Sequence, residues 1–304
     1  MMTKLALIEK AERFLALHQG PPILVLPNVW DVATAKLFEQ EGFPALGTTS
    51  GGISASLGYP DGEGIPLCEN VSVVSRIARA VRIPVSADIE AGYGRLPEAA
   101  ARAALAMVRV GAVGVNLEDS ASGCGKDPTQ PLIDVGEQAR RIIAIRAMAK
   151  SKGIPLVINA RTDTYLLADK LIEDRFSETV RRATAYLEAG ADCIFIPDTG
   201  ILGRETIAEL VRAIHAPINV IAGAGTPPIQ DLELLGVARV SFGPRPMRAC
   251  LGLLRGMARE WREAGTYVTM TDTSITYDEV NRWFFDSSGA RTPKPRLGPP
   301  RSRK

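Results

Sequence analysis

The sequence predicts an α/β chain closed as a (β/α)8 TIM barrel, and three observations carry that prediction. Short apolar, β-branched runs alternate with longer segments of helical period from residue 23 to residue 264. The eight runs are matched by eight helical segments. The glycine-rich fingerprint GxGxxG of the rival architecture, an open doubly wound sheet, is absent after the first run.

Taken in order, the strands are expected at 23–26, 45–49, 84–89, 113–117, 156–160, 193–196, 218–221 and 239–242. The helices between and after them are expected at 31–41, 71–80, 97–110, 134–150, 177–189, 204–214, 228–235 and 247–264. Gly42, Gly111, Gly190 and Gly236 follow helices, where a left-handed cap carries no Cβ penalty. Pro84, Pro155 and Pro217 each open a strand, where a missing N–H is tolerated. Before the first strand, Lys4, Glu9, Lys10, Glu12 and Arg13 interleave with apolar residues, which predicts an amphipathic helix and not the uncharged core of a signal peptide. After Gly265 the pattern weakens, with a short helix expected at 278–285 that docks Trp283, Phe284 and Phe285. Residues 1–286 are therefore read as a single barrel domain with an N-terminal helix and a C-terminal helical extension. Residues 287–304 join Ser, Gly and Pro to Arg291, Lys294, Arg296, Arg301, Arg303 and Lys304, and are expected to be a disordered basic tail.

Composition narrows the function. The charge of +2 arises from 36 basic and 34 acidic residues, so the folded body offers no field for nucleic acid or an anionic membrane. A basic tail is more often solvated than a nucleic-acid arm. No run of roughly 18 uncharged apolar residues predicts a membrane span. Cys68, Cys124, Cys193 and Cys250 are widely spaced, as expected of reduced thiols in a cytoplasmic protein. The expected partner is a small molecule, with no nucleic acid and no membrane. His18 and His215 are read as helix-end residues, and no general base is assigned.

In a (β/α)8 barrel the chemistry lies where strands end. The third strand runs into Asp88-Ile89-Glu90, and a period-two pleat places both carboxylates on one face. The fourth ends in Glu118-Asp119 and the fifth in Arg161-Thr162-Asp163. Singly, Asp88 and Glu118 would be read as caps of the next helix and Glu90 as solvent-facing. Together, Asp88, Glu90 and Glu118 predict a site for Mg²⁺, with Mn²⁺ as the alternative, because clustered carboxylates require a cation. Arg161 is either a bidentate clamp for a substrate carboxylate or an ion-pair partner of Asp163 or Glu118. The small residues Ser50, Gly51 and Gly52 form a loop able to bring backbone N–H groups to a carboxylate, although such loops are commonly only turns.

Four segments, Ser50-Gly51-Gly52 with Ser56-Leu57-Gly58-Tyr59-Pro60-Asp61, Asp88-Ile89-Glu90-Ala91-Gly92-Tyr93-Gly94, Val115-Asn116-Leu117-Glu118-Asp119 and Asn159-Ala160-Arg161-Thr162-Asp163, resemble the isocitrate lyase/phosphoenolpyruvate mutase superfamily. The likeness extends from residue 26 to residue 244. It implies a barrel whose last helix is exchanged between subunits, usually in a tetramer, and a Mg²⁺ site acting on 2-oxo or 2-hydroxy acids. It also implies Asp88, Glu90 and Glu118 as the metal shell, Arg161 as the carboxylate clamp, Asp61 as an acid beside the metal, and the Ser50-Gly51-Gly52 backbone as the carboxylate-binding loop. Two departures stand out. The lyase branch carries Lys-Lys-Cys-Gly-His or Lys-Arg-Cys-Gly-His on a loop after Glu-Asp, where this chain has Ala121-Ser122-Gly123-Cys124-Gly125-Lys126, so Cys124 is either a proton donor or a bystander thiol. Glu90 stands where many members have Asp.

The phosphoenolpyruvate mutase branch presents a Trp-Glu-Ser-Gly type loop after strand two, whereas Thr48-Thr49-Ser50-Gly51-Gly52 is closer to the lyases. The resemblance thus implies a Mg²⁺-dependent lyase that cleaves a C–C bond of a 2-oxo or 2-hydroxy acid through an enolate, with residues 120–131 closing over the site. The alternatives are a phosphoenolpyruvate mutase or phosphonopyruvate hydrolase-like enzyme acting on a P–C bond, and a catalytically silent oxo-acid-binding barrel.

Overall fold

The structure, a computed structural model, describes residues 3–120, 131–167, 174–198 and 200–285. The expectations for Cys124, for residues 121–130 and for the 287–304 tail lie outside the described residues.

The chain opens with α1 (Lys4–Ala16), whose first turn is capped by the Thr3 hydroxyl accepting from the Ala6 N–H at 3.2 Å. Its apolar face buries Ala11 and Phe14. Phe14 lies so close to Gly114 that a Cβ there would sit 2.6 Å from its ring. Gly114 is the first residue of its strand, so α1 covers the N-terminal end of the barrel, away from the mouth.

Among the described residues, nine strands, all parallel, form a nearly closed barrel, as the alternation predicts. They are β1 (Leu24–Leu26), β2 (Asn28–Val29), β3 (Leu46–Thr48), β4 (Val85–Asp88), β5 (Gly114–Glu118), β6 (Val157–Arg161), β7 (Cys193–Ile196), β8 (Ile218–Ile221) and β9 (Arg239–Ser241). The single first strand expected at 23–26 is in fact the pair β1 and β2, separated by Pro27, which has no N–H for the ladder. β1 bonds to β9 and β2 to β3, so one interrupted strand joins both edges of the sheet. Asn28 fastens this seam: its Oδ1 accepts from Phe242 and Gly243, both at 2.8 Å, and its Nδ2 donates to the Thr48 carbonyl at 3.0 Å. Asn28→Leu strands those N–H groups and is expected to destabilise the barrel by about 2–3 kcal/mol, read as a lower urea midpoint at unchanged slope.

Around the strands pack α2 (Val32–Gln40), α3 (Ser50–Leu57), α4 (Leu67–Ala80), α5 (Pro97–Val110), α6 (Val135–Lys152), α7 (Arg175–Glu188), α8 (Arg204–Ile214) and α9 (Ile229–Leu234). α5 shows why such segments are helical: Ala99, Ala100, Ala103, Ala104, Met107 and Val108 are buried at helical spacing, and Gly111 ends the helix at φ 110°. One element departs from expectation. The Ser50–Gly51–Gly52 segment is the first turn of α3 and not a loop. The Thr49 hydroxyl accepts from Gly52 N–H at 3.3 Å, and a Cβ at Gly52 would lie 3.0 Å from that of Trp30. Capping and close packing thus override poor helix propensity.

The chain divides into two compact units, 1–252 and 253–304, the division falling inside α10 (Arg245–Glu263). The first contains the barrel. The second contains the rest of α10, α11 (Val268–Thr273), which the periodicity does not predict, and α12 (Tyr277–Arg282), which overlaps the expected 278–285 helix, beginning one residue earlier and ending three residues sooner. Glu260 ties α10 to α11 by accepting from Thr266 Oγ1 and Val268 N–H, both at 2.7 Å. Leu254, Trp261 and Tyr277 are exposed in this unit, at 54%, 47% and 82%. No described helix is long and apolar enough to cross a membrane.

Candidate active site

Three consecutive strand ends build the mouth. β4 stops at Asp88, whose N–H donates to Thr48 Oγ1 at 2.9 Å. Its Oδ2 accepts from Ser50 N–H at 3.1 Å, at the start of α3, where the helix dipole favours a negative charge. Its Oδ1 accepts from Glu90 N–H at 3.2 Å. The Ser50 N–H is therefore directed at Asp88 in this structure. Gly51 lies against Asp61: a Cβ there would be 3.0 Å from Asp61 Oδ2 and 3.4 Å from Pro244 Cβ. Gly52, one residue further, packs on Thr49 and Trp30.

The pleat expected to align Asp88 with Glu90 does not extend that far. Glu90 follows the strand with φ 49°, a left-handed conformation that turns its carboxylate toward the segment after Asp61. Its Oε2 accepts the Glu63 N–H, while the buried Oε1 has no protein hydrogen bond. Glu63 in turn accepts from Tyr93 N–H at 2.6 Å, and Tyr93 is also left-handed, at φ 58°. Such backbone cost is retained where the surroundings enforce it. Here the support is Arg141 of α6, buried, whose Nη2 donates to the Ala91 carbonyl and, at 2.6 Å, to that of Gly94.

The ladder places Glu118 directly beside Arg161. Arg161 Nη1 pairs with Glu118 Oε2 at 2.7 Å, and Asp163 takes the other edge as a fork, Oδ1 to Nε at 2.5 Å and Oδ2 to Nη2 at 2.9 Å. Both ion pairs foreseen as the alternative role for Arg161 are thus formed. The guanidinium also lies 5.8 Å from the Phe195 ring centre. Neither Asp88 nor Glu118 caps the following helix, since α5 begins after Leu96 and α6 after Asp134.

These carboxyls resist ionisation. Burial, with the Asp88 charge adding to it, pushes Glu90 up to about 8, and the charges of Asp61 and Glu63 act the same way. Burial raises Asp88 against the opposing pull of Arg161 and the Ser50 N–H. Burial holds Glu118 well above the carboxylate range, with Arg161 opposing and Asp163, Asp88 and Glu90 reinforcing. Burial works against the Arg161 charge, but Asp163 and Glu118 more than offset it and the guanidinium stays protonated. The structure therefore brings Ser50, Gly51, Asp61, Asp88, Glu90, Glu118 and Arg161 to one mouth, with Gly52 in the turn behind them.

The donor set suits a hard cation: hard oxygens, mutual repulsion, and a buried Glu90 oxygen without a protein partner. Among the described residues no three acidic, His or Cys side chains converge tightly enough to ligate one ion directly.

Asp119 is a supporting residue that sequence reasoning passed over. It is wholly buried behind the mouth, accepting from Asp163 N–H at 2.9 Å, Arg182 Nη1 at 3.0 Å and the Tyr186 hydroxyl at 2.7 Å. It thereby fixes the residue that grips Arg161. The only sequence signal is its place after Glu118, on the opposite side of the strand.

The phosphoenolpyruvate phosphomutase family profile matches residues 14–262. A 2-methylisocitrate lyase from Aeropyrum pernix is 31% identical over 275 residues, covering 88% of this chain and 83% of that protein. The crystal structure of a candidate lyase/mutase from Burkholderia cenocepacia J2315 superposes with a TM-score of 0.85 at 35% identity, covering 94% of this chain and 99% of that one. A phosphonopyruvate hydrolase crystallised with oxalate and Mg²⁺ superposes with a TM-score of 0.78 at 25% identity, covering 90% and 94%.

Proposed function

The chain belongs to the phosphoenolpyruvate phosphomutase family, and from that premise we propose that it is a Mg²⁺-dependent lyase cleaving a C–C bond of a 2-oxo or 2-hydroxy carboxylic acid. One observation carries the proposal: Asp88, Glu90 and Glu118 are buried together at the mouth beside Arg161, and burial holds all three carboxyls above their ordinary range. A divalent cation bound there, Mg²⁺ or alternatively Mn²⁺, supplies positive charge toward which negative charge develops on the substrate.

The protein's own groups do the rest. Asp163 grips one edge of the Arg161 guanidinium, leaving the Nη1 edge, now on Glu118, as the edge a substrate carboxylate can take. The Phe195 ring, 5.8 Å from the guanidinium, lies against Arg161 and favours its charge. Asp61, against Gly51, is proposed as the acid beside the metal, and the first turn of α3 as the carboxylate-binding segment. Cys124, outside the described residues, is kept as the proposed proton donor.

The test is a metal-dependent screen of 2-oxo and 2-hydroxy diacids, following release of a 2-oxo acid with and without Mg²⁺. No turnover of any such acid, with oxalate or pyruvate still bound, replaces the lyase by a silent binding barrel. The likeness to phosphonopyruvate hydrolase favours one rival, P–C cleavage. Phosphorus NMR on phosphonopyruvate separates the two.

A pH dependence follows from Glu90. Its carboxyl, raised to about 8, is protonated and neutral below that pH, so the metal must displace a proton. Mg²⁺ affinity is expected to rise by about tenfold or more per pH unit toward 8, since Asp88 and Glu118, also raised, act in the same direction, as read by calorimetric titration at pH 6.5, 7.5 and 8.5. The stability sign is consistent: a folded-state carboxyl raised above its unfolded value stabilises fully at low pH, and that contribution is lost as pH rises through 8. Mg²⁺ should therefore rescue the thermal midpoint more at pH 8.5 than at pH 6.

A homo-oligomer, a tetramer with an exchanged last helix, is part of the same proposal and is supported by the exposed Leu254, Trp261 and Tyr277. Trp261→Glu is expected to lower the mass measured by sedimentation to that of a smaller species. Cytoplasmic location is proposed from the free Cys68, Cys193 and Cys250.

A further inference from the structure

Between α1 and the mouth, the barrel interior is polar where such layers are ordinarily Val, Ile and Leu. Arg239, on β9, is fully buried and donates through Nη2 to Asn116 Oδ1 on β5 at 3.4 Å. These strands stand four positions apart in the ring of the sheet, so the guanidinium crosses the barrel axis. Its Nε and Nη1 are buried and make no hydrogen bond to protein. Beside it in register is Asn219, also fully buried, whose Nδ2 has no protein partner and whose Oδ1 is taken by the Ser241 hydroxyl at 3.1 Å.

Nothing described neutralises this charge by direct pairing. Burial lowers Arg239 to about 10, which leaves it protonated at neutral pH. The acidic groups that act on it are Cys193 and Asp88. Burial pushes the Cys193 thiol up to about 12, so it stays neutral, and the Asp88 oxygens accept from Ser50 and Glu90. His18, near the floor, is held at about 3 by burial and by the Arg239 charge, so it is a neutral imidazole there. A buried guanidinium without a counter-charge is strongly destabilising unless something other than protein satisfies it. One unpartnered acceptor lies in the same layer, Asn159 Oδ1, but Arg239 Nε and Nη1 and Asn219 Nδ2 are N–H donors, which select an anion over a cation, and their complete burial selects a small one.

We propose that the barrel encloses a single small anion of the halide class, held by Arg239 Nε and Nη1 with Asn219 Nδ2. The site is independent of the activity proposed above and uses none of the mouth residues. Because the anion is enclosed, the full-length protein should be refolded from urea into sodium bromide and crystallised, and its bromine anomalous signal measured. The expected result is an anomalous peak within hydrogen-bond distance of Arg239 Nε and Nη1. Refolded protein should also show a thermal midpoint that rises saturably with bromide over gluconate at equal ionic strength, and Arg239→Met should lose both signals. A wild-type map with water or no peak beside Arg239 overturns the proposal, as does an unchanged bromide response in Arg239→Met. Should that variant not fold, the wild-type map alone decides.

Discussion

Alanine at Asp88 or at Glu118 is expected to abolish Mg²⁺-dependent turnover, with kcat/KM falling by about 10³-fold or more. Lewis-acid stabilisation of developing charge contributes several kcal/mol, and each factor of ten in rate corresponds to about 1.4 kcal/mol. The two positions fail for different reasons. Asp88 receives the Ser50 and Glu90 N–H groups, so its removal also releases the start of α3 and the turn that carries Glu90. Glu118 pairs with Arg161 at 2.7 Å, so its loss leaves the guanidinium held by Asp163 alone. Asp88→Asn and Glu118→Gln keep the shape while removing the charge, and should lose activity with little loss of stability. Steady-state rates across a Mg²⁺ titration, with circular dichroism as the folding control, distinguish the cases. Wild-type rates in either alanine variant would remove that residue from the mechanism.

Asp119→Ala is expected to be the most destabilising single change near the site, by about 3–5 kcal/mol. Arg182, mostly buried, would lose the carboxylate at 3.0 Å, and the Tyr186 hydroxyl its acceptor at 2.7 Å. Glu178 still pairs with Arg182 Nε at 2.6 Å, but from the outer side of the helix, so it compensates only in part. Chemical denaturation of the single and double variants of Asp119 and Arg182 measures the coupling. If the double variant is no more stable than Asp119→Ala, the cost arises elsewhere than in a stranded charge. A second consequence is catalytic: Asp163, no longer held through its N–H, should grip Arg161 less firmly and raise KM for the carboxylate substrate.

Much of the site is legible in the sequence. Asp88, Glu118 and Arg161 each end an apolar run, and in a parallel barrel every such end faces the same mouth, so local sequence was enough to gather them. Glu90 was gathered by the wrong route. A two-residue pleat predicts its direction, whereas a left-handed backbone held by Arg141 of α6 aims its carboxylate. Ser50-Gly51-Gly52 reads as a loop in sequence because Ser and Gly are poor helix formers, and nothing nearby in sequence reports the Trp30 contact that holds it as the first turn of α3.

By itself, the sequence determined the alternation of eight barrel positions and the chemistry at their ends, because hydrophobic period and strand termini are local properties of the chain. Tertiary structure alone decided the rest: the split first strand sealed by Asn28, the Asp119–Arg182–Tyr186 brace and the guanidinium of Arg239 spanning the axis. Each joins residues dozens of positions apart. Their partners are selected by closure of the ring and by the cost of leaving a buried polar group unpaired, and neither exists until the barrel has formed.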